Sequence, residues 1–273
     1  MIAVCIATYN HEAFIAEAIE SVLSQVCDEP MRVYIGDDAS TDATETICEQ
    51  YARQDNRIVY IRRRHNQGLT SNTIDLYRRI MADGADYIAM LDGDDYWSDP
   101  HKLQLQIDYL RTHPEVGLVH TAEQTQGDEA IPEGDLSEMY GLRGAKQTNC
   151  TVLFRAELLQ KADLDELEQQ DFPVLDYPLY GIFSQYTKFG YLGVRTAVWR
   201  VHSSVSNPQS LKGQLQYKRE RLRMWYWLDK KYSGRFHFRW FKAILWYIRQ
   251  IFYILFAYIK KSSTFVADFE KTT

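Results

Sequence analysis

The sequence predicts an α/β fold with a mostly parallel sheet, and three observations carry that prediction. Four short runs rich in Val, Ile and Tyr read as strands buried on both faces: "IAVCIA" (2–7), "RVYIG" (32–36), "RIVYI" (57–61) and "YIAML" (87–91). Between them, residues 11–26, 42–54 and 69–83 repeat apolar side chains at helical spacing, for example Phe14, Ile15, Ala18, Ile19, Val22 and Leu23. Each strand then empties polar residues at its carboxyl end: "TYN" (8–10), "DDAS" (37–40), "RRRHNQG" (62–68) and "DGDD" (92–95). A β-α-β-α-β-α-β succession is the signature of a Rossmann-like sheet flanked by helices, and its ligands sit at the carboxyl ends of the strands.

Beyond the fourth strand, a helix is expected at about 100–112 and a strand at 116–121 ("VGLVHT"). Residues 122–147, rich in Gly and acidic side chains, read as a surface loop or an acceptor-side insertion. "CTVLF" (150–154) is followed by a helical stretch over about 155–170, and Asp176 opens another helical pattern with Pro178 in its first turn.

At 273 residues and 45% hydrophobic content, the chain is long enough to bury a full core. Cys5, Cys27, Cys48 and Cys150 show no paired spacing, which argues against a disulfide framework or a zinc site and suits a reducing compartment. "MIAVCIATYN" lacks the basic start and long apolar run of an export signal, so a cytoplasmic location is expected.

Charge divides the chain. Residues 1–211 hold 17 Lys and Arg against 33 Asp and Glu, a net −16, whereas residues 212–261 hold 13 against 2, a net +11. The expected organisation is a domain over 1–210, a basic, aromatic, amphipathic helical appendage over 211–261, and a tail over 262–273. In the appendage, Lys242 and Arg249 interrupt an apolar run that includes Phe241, Ile244, Leu245, Ile248 and Ile251, so a membrane-spanning helix is not expected. Two readings stand for residues 217–261: helices packed as ordinary core, or an interfacial segment on an anionic membrane surface, which its charge and aromatic content favour. Nucleic acid is not expected as a partner, because the attached domain is acidic.

Three carboxylates at one strand end, Asp92, Asp94 and Asp95, repel one another unless a cation or donor groups compensate. A solvated turn around Gly93 would also explain them. Two aspartates one residue apart suit a hard divalent ion that shares its oxygen ligands with substrate phosphates. Asp37 and Asp38 suit either a base or ribose contact or the cap of the helix near residue 42. Arg62, Arg63, Arg64 and His65 suit an anion or a solvated basic edge. His202 in "WRVHSS" reads as a metal or diphosphate contact or as a structural histidine, and Asp176 as a general base or a helix cap.

Taken in order and spacing, "CIATYNHEAFIAEAIESVLSQ", "DDASTDAT", "NQGLTSN", "LDGDDYWSDPHKL", "DYPLYGIFSQYTKFGYLG" and "VWRVHSS" resemble the family 2 glycosyltransferases of the GT-A fold, over roughly residues 1–205. The resemblance implies that Thr8, Tyr9 and Asn10 line a nucleotide pocket, that Asp38 contacts the base, and that Asn66, Gly68 and Asn72 border the ribose side. It implies that Asp92 and Asp94 form the family's DxD pair, Asp94 as the metal ligand and Asp92 nearer the ribose. Asp176 falls where such enzymes carry their base, and Arg200 and His202 match a tyrosine-arginine-x-histidine element near metal and diphosphate. Trp199 stands where the tyrosine is usual, and Leu175-Asp176 replaces the usual Glu-Asp or Gly-Asp pair, with Asp171 as a second acid nearby.

The function so implied is inverting, metal-dependent transfer of a sugar from a nucleoside-diphosphate donor, UDP-linked by the family's habits. The acceptor is a hydroxyl of a glycan or a lipid-linked molecule in bacterial surface polysaccharide synthesis, and the cofactor is a divalent metal, Mn or Mg. The competing reading is an inactive nucleotide-sugar-binding or scaffold protein, and an intact DGDD with an available Asp176 speaks against it.

Overall fold

The computed structural model describes residues 1–124, 148–200 and 210–232, together with 244–245, 248–249 and 251–252. The chain divides into two compact units, residues 1–200 and 201–273. All described strands lie in the first.

That unit is an eight-stranded mixed sheet with helices packed on it. In chain order the elements are β1 (Ile2–Thr8), α1 (Ile15–Leu23), β2 (Met31–Asp37), α2 (Thr44–Gln54), β3 (Ile58–Arg62), α3 (Leu69–Ala82), β4 (Tyr87–Asp92), β5 (Tyr96–Trp97), α4 (Lys102–Thr112) and β6 (Val116–Gln124). After them come β7 (Val152–Arg155), α5 (Leu164–Gln170), α6 (Asp176–Phe183) and β8 (Lys188–Val198). The spatial strand order is 3-2-1-4-7-6-8-5. β1, β2, β3 and β4 run parallel, as do β6 and β8, while β7 and β5 pair antiparallel with their neighbours.

Every residue of β1 is buried, which explains its unbroken apolar run. Ile2, Val4 and Ile6 join a core cluster with Ile15, Ala18, Ile19 and Val22 of α1 and Leu103, Ile107 and Leu110 of α4. Each fully buried Ile, Leu or Val of this kind contributes about 1.5–3 kcal/mol. The register then sets the strand ends level: Thr8 lies beside Asp37, Ala7 beside Asp92, and Asp37 beside Arg62. The polar residues read at each strand end are thereby gathered along one edge.

Local chemistry moves several boundaries. α1 begins at Ile15 rather than at residue 11, because the main-chain amides of His11 and Glu12 are taken by Thr44 Oγ1 (2.9 Å) and Asp42 Oδ2 (3.0 Å). The stretch 155–170 is not one helix: a short 3-10 segment at Ala156–Lys161 is followed by α5, restarted where Asp163 accepts from the Glu166 amide at 2.9 Å. The strand expected just ahead of His202 is β8, which extends back to Lys188. All four cysteines are free, Cys5, Cys48 and Cys150 in the interior.

The second unit contains α7 (Leu211–Lys231), capped by Ser210, whose Oγ accepts from the Gly213 amide at 3.1 Å. Among the described residues, no helix is long and apolar enough to cross a membrane. The loop expected over 122–147 does not begin at 122, because β6 runs on to Gln124; its remainder over 125–147 and the tail at 262–273 lie outside the described residues, as does most of the apolar run after 233.

Candidate active site

The DGDD turn is built by the backbone of its neighbours. The Gly93 amide donates to Ala7 O at 3.0 Å, and the Asp95 amide closes a β-turn on Asp92 O at 3.0 Å. Glycine is required at its centre: a Cβ on Gly93 would stand 2.7 Å from Thr8 Oγ1 and 2.9 Å from His11 Nδ1. Thr8 Oγ1 and His11 Nδ1 are themselves 3.2 Å apart, and His11 Nε2 lies 3.9 Å from Asp94 Oδ2. Thr8, His11 and the turn thus form one closely fitted wall.

Arg200, just beyond β8, closes the other side. Its amide donates to Asp95 Oδ1 at 2.9 Å and its Nη1 to Asp94 O at 2.7 Å. The guanidinium lies over the rings of Tyr96 (4.5 Å) and Phe14 (5.2 Å) and pairs with Glu17 of α1. His202 lies outside the described residues.

The electrostatics are strained. Burial, reinforced by Asp94 and Asp95, pushes the Asp92 carboxyl well above the usual carboxylate range, with Asp176 adding to the rise and a hydrogen bond from Asn149 opposing it. Burial, then Asp94, pushes Asp95 up to about 7, against the Arg200 amide. Asp176 opens α6, its Oδ1 accepting from the Tyr177 amide at 2.8 Å, and its charge reaches Asp92. Four carboxylates therefore share one edge.

That donor set fits a hard divalent cation, which takes oxygen ligands and would relieve the repulsion. Among the described residues no three His, Cys, Asp or Glu side chains are gathered to chelate an ion alone. The arrangement suits a cation whose remaining ligands come from a bound diphosphate.

The second acidic pair is arranged differently. Asp37 is fully buried and accepts from the Ser40 amide (2.9 Å), Ser40 Oγ (2.6 Å) and Tyr60 OH (2.8 Å). Asp38 accepts from the Gln67 amide (2.9 Å) and the Gly68 amide (2.7 Å), so it anchors the loop before α3. Neither caps α2, where Asp42 accepts from the Thr44 amide at 3.0 Å.

The remaining sequence candidates divide. Asn10, at φ 56°, takes its amide to Ser40 Oγ (2.9 Å) and accepts the Thr41 amide at Oδ1 (2.8 Å), stapling the β1 exit to the β2 exit. Tyr9 is 42% exposed beside it. Asn66 accepts from the Gly68 amide at 3.1 Å. Asn72 is buried, donating to Gly36 O (2.7 Å) and accepting from Arg63 Nε (3.2 Å), which joins α3 to β2. Arg62 pairs with Glu45 (3.0 Å) and Arg63 donates to Ser71 O (2.7 Å), so both serve the loop itself. Sequence reasoning passed over His11, Glu17, Asn149 and Tyr180, whose partners are distant in the chain.

A mixed α/β sheet whose parallel strands end beside clustered carboxylates places the chain in the doubly wound class, where ligands bind at the carboxyl ends of the strands. The chain belongs to glycosyl transferase family 2, whose model matches residues 3–157. It is 37% identical to the putative glycosyltransferase EpsE of Bacillus subtilis over 121 residues, 44% of this chain and 42% of that one. The matched stretches span 31–42% of the curated relatives' own lengths. In fold it is similar to S. aureus TarS 1-349 in complex with UDP-GlcNAc (TM-score 0.62, 18% identity, 82% of this chain and 65% of that one). It is also similar to the mannosyltransferase PcManGT of Pyrobaculum calidifontis in complex with GDP-Man and Mn2+ (TM-score 0.62, 16% identity, 99% and 79%).

Proposed function

We propose that this chain is a glycosyltransferase that transfers a sugar from a nucleoside-diphosphate donor to a hydroxyl with inversion at the anomeric carbon. The observation that carries the reading is the burial of Asp92 and Asp95 against Asp94, with Asp176 also facing Asp92, which holds the Asp92 and Asp95 carboxyls above the usual range unless a ligand compensates them. The nucleotide sugars and Mn2+ named with the two similar structures support the same donor class, and UDP is the nucleotide the family resemblance favours.

In this reading Thr8, Tyr9 and Asp38 border the nucleoside, with Asn10, Asn66, Gly68 and Asn72 holding the loops around it. Asp94, with Asp92 nearer the ribose and His202 as a second ligand, would hold a divalent Mn or Mg ion that neutralises charge released onto the diphosphate. Arg200, anchored by Glu17, Phe14 and Tyr96, keeps the turn in place and adds positive charge on the diphosphate side. Asp176 takes the proton of the acceptor hydroxyl as its oxygen attacks opposite the leaving diphosphate.

The acceptor is a hydroxyl on a glycan or lipid-linked molecule of a surface polysaccharide. The net +11 of residues 212–261, with their aromatic side chains, supports an anionic membrane face as the place of work. Replacing Asp176 tests the mechanism. Asp176→Asn should lower turnover on the order of 100 to 10,000-fold while leaving donor binding within a factor of two or three, read by nucleotide release beside a binding titration. A near-normal rate would reject Asp176 as the base.

A further inference from the structure

The DGDD turn and the helix carrying Asp176 come from chain segments more than 80 residues apart, yet one side chain joins them. Asn149 Nδ2 donates to Asp92 Oδ1 at 3.0 Å, and its Oδ1 accepts from Tyr180 OH at 2.9 Å. In its ionised form, the one a bound cation favours, Asp92 can only accept, so it turns the amide nitrogen toward itself and leaves the carbonyl oxygen for the tyrosine. Tyr180 lies on α6 one turn after Asp176, on the same face of that helix.

The amide is held on both sides. Asn149 belongs to a short 3-10 turn, Asn149–Thr151, whose main chain is gripped from three directions. Trp97 Nε1 donates to Cys150 O at 2.8 Å, Gln106 Nε2 to Thr151 O at 2.8 Å, and Thr151 Oγ1 to Thr148 O at 2.8 Å. Tyr180 is fully buried, with Phe183 against its ring at 6.2 Å, and Phe183 in turn meets Phe154 at 5.2 Å. So firm a mounting for a single amide is what positioning requires, since small displacements of reacting groups carry large rate penalties.

We propose that Asn149 is a positioning residue for sugar transfer, its amide bracing the Asp92 carboxylate against the helix that carries Asp176, through Tyr180. This rests on the reading of Asp92 and Asp176 as donor-side and base residues. Asn149→Ala releases both ends of the brace, whereas Tyr180→Phe releases only the α6 end and keeps the ring. Acting as one unit, the two residues give non-additive losses.

The test measures kcat and donor KM for the full chain, wild type, Asn149→Ala, Tyr180→Phe and the double variant, with thermal unfolding of each. Expected are a fall in kcat of about 10 to 100-fold for Asn149→Ala with KM within about threefold, a smaller fall for Tyr180→Phe, and no further fall in the double variant. Wild-type kcat in Asn149→Ala, or losses that multiply in the double variant, would overturn the brace while leaving the proposed function standing. A loss of kcat that follows only the fraction unfolded would also overturn it. If the wild-type protein turns over no nucleotide sugar, the proposed function fails first and the brace with it.

Discussion

Two acidic clusters flank the end of β1, and the fold treats them oppositely. After β2, Asp37 and Asp38 are matched by five hydrogen-bond donors from Ser40, Tyr60, Gln67 and Gly68, so the pair ties the loop after β2 to β3 and to the loop before α3. After β4, Asp92 and Asp95 accept from Asn149 and the Arg200 amide but are buried beside Asp94, and burial followed by that like charge raises their pKa values. Sequence alone makes "DDAS" and "DGDD" look equivalent. Carboxylates ringed by the protein's own donors hold the loops around the proposed nucleoside pocket, whereas carboxyls buried against one another mark a place that a cation would relieve.

Exchanging each charge for an amide breaks the comparison most directly. Asp37→Asn removes acceptors from buried partners and should lower unfolding free energy by on the order of 3 kcal/mol in denaturant melts. Asp94→Asn should leave stability unchanged within about 0.5 kcal/mol or raise it, because it relieves like-charge repulsion. Equal destabilisation by both would erase the distinction.

A buried base away from the strand ends is the control. His120 on β6 is almost fully buried, its Nε2 without a hydrogen-bond partner among the described residues, and burial pulls its pKa down to about 4. The unfolded chain therefore takes the proton first, near pH 6.5, so the contribution is complete above that pH and lost as pH falls towards 4. Between pH 7 and 4, wild type should lose roughly 3 kcal/mol more than His120→Gln, measured by melts across that window. Parallel curves would show that burial, by itself, does not shift groups in this sheet.

Glycines sharpen the contrast further. Gly93→Ala forces a Cβ against Thr8 and His11 and should cost about 1–3 kcal/mol together with nucleotide affinity. Gly68→Ala meets no atom within 4 Å and carries only the strain of φ +88° with ψ 158°, about 1–3 kcal/mol. The smallest effect is expected at Ala39, which holds φ 62° between Asp38 and Ser40. Ala39→Gly should raise stability by under about 1 kcal/mol without changing binding.

The first four strands were legible because strands buried on both faces must be apolar throughout, and the polar edge because each run stops abruptly. A strand before His202 was expected, but not the reach of β8: "KFGYLGVRTAV" mixes glycines with exposed Gly193, Val194 and Arg195, and its pairing with β6 is broken by register shifts. DGDD stood out as a motif. Asn149, His11 and Glu17 did not, because a lone Asn, His or Glu shows its use only when folding brings in a partner, 57 residues away for Asn149 and 183 for Glu17. Asn10 and Asn72 show the converse, since their motif positions are plain in sequence while their bonds to Thr41 and Gly36 emerge only in the fold.

The central claim is that the DGDD turn is a cation-diphosphate site, and calorimetric titration with UDP, with and without Mn2+, tests it most directly in wild type and Asp94→Asn. Binding that requires Mn2+ and disappears in Asp94→Asn, while that variant melts no lower than wild type, is the predicted result. UDP binding of equal strength with and without the ion and in both proteins, or no binding of UDP, GDP or dTDP under any condition, would contradict it.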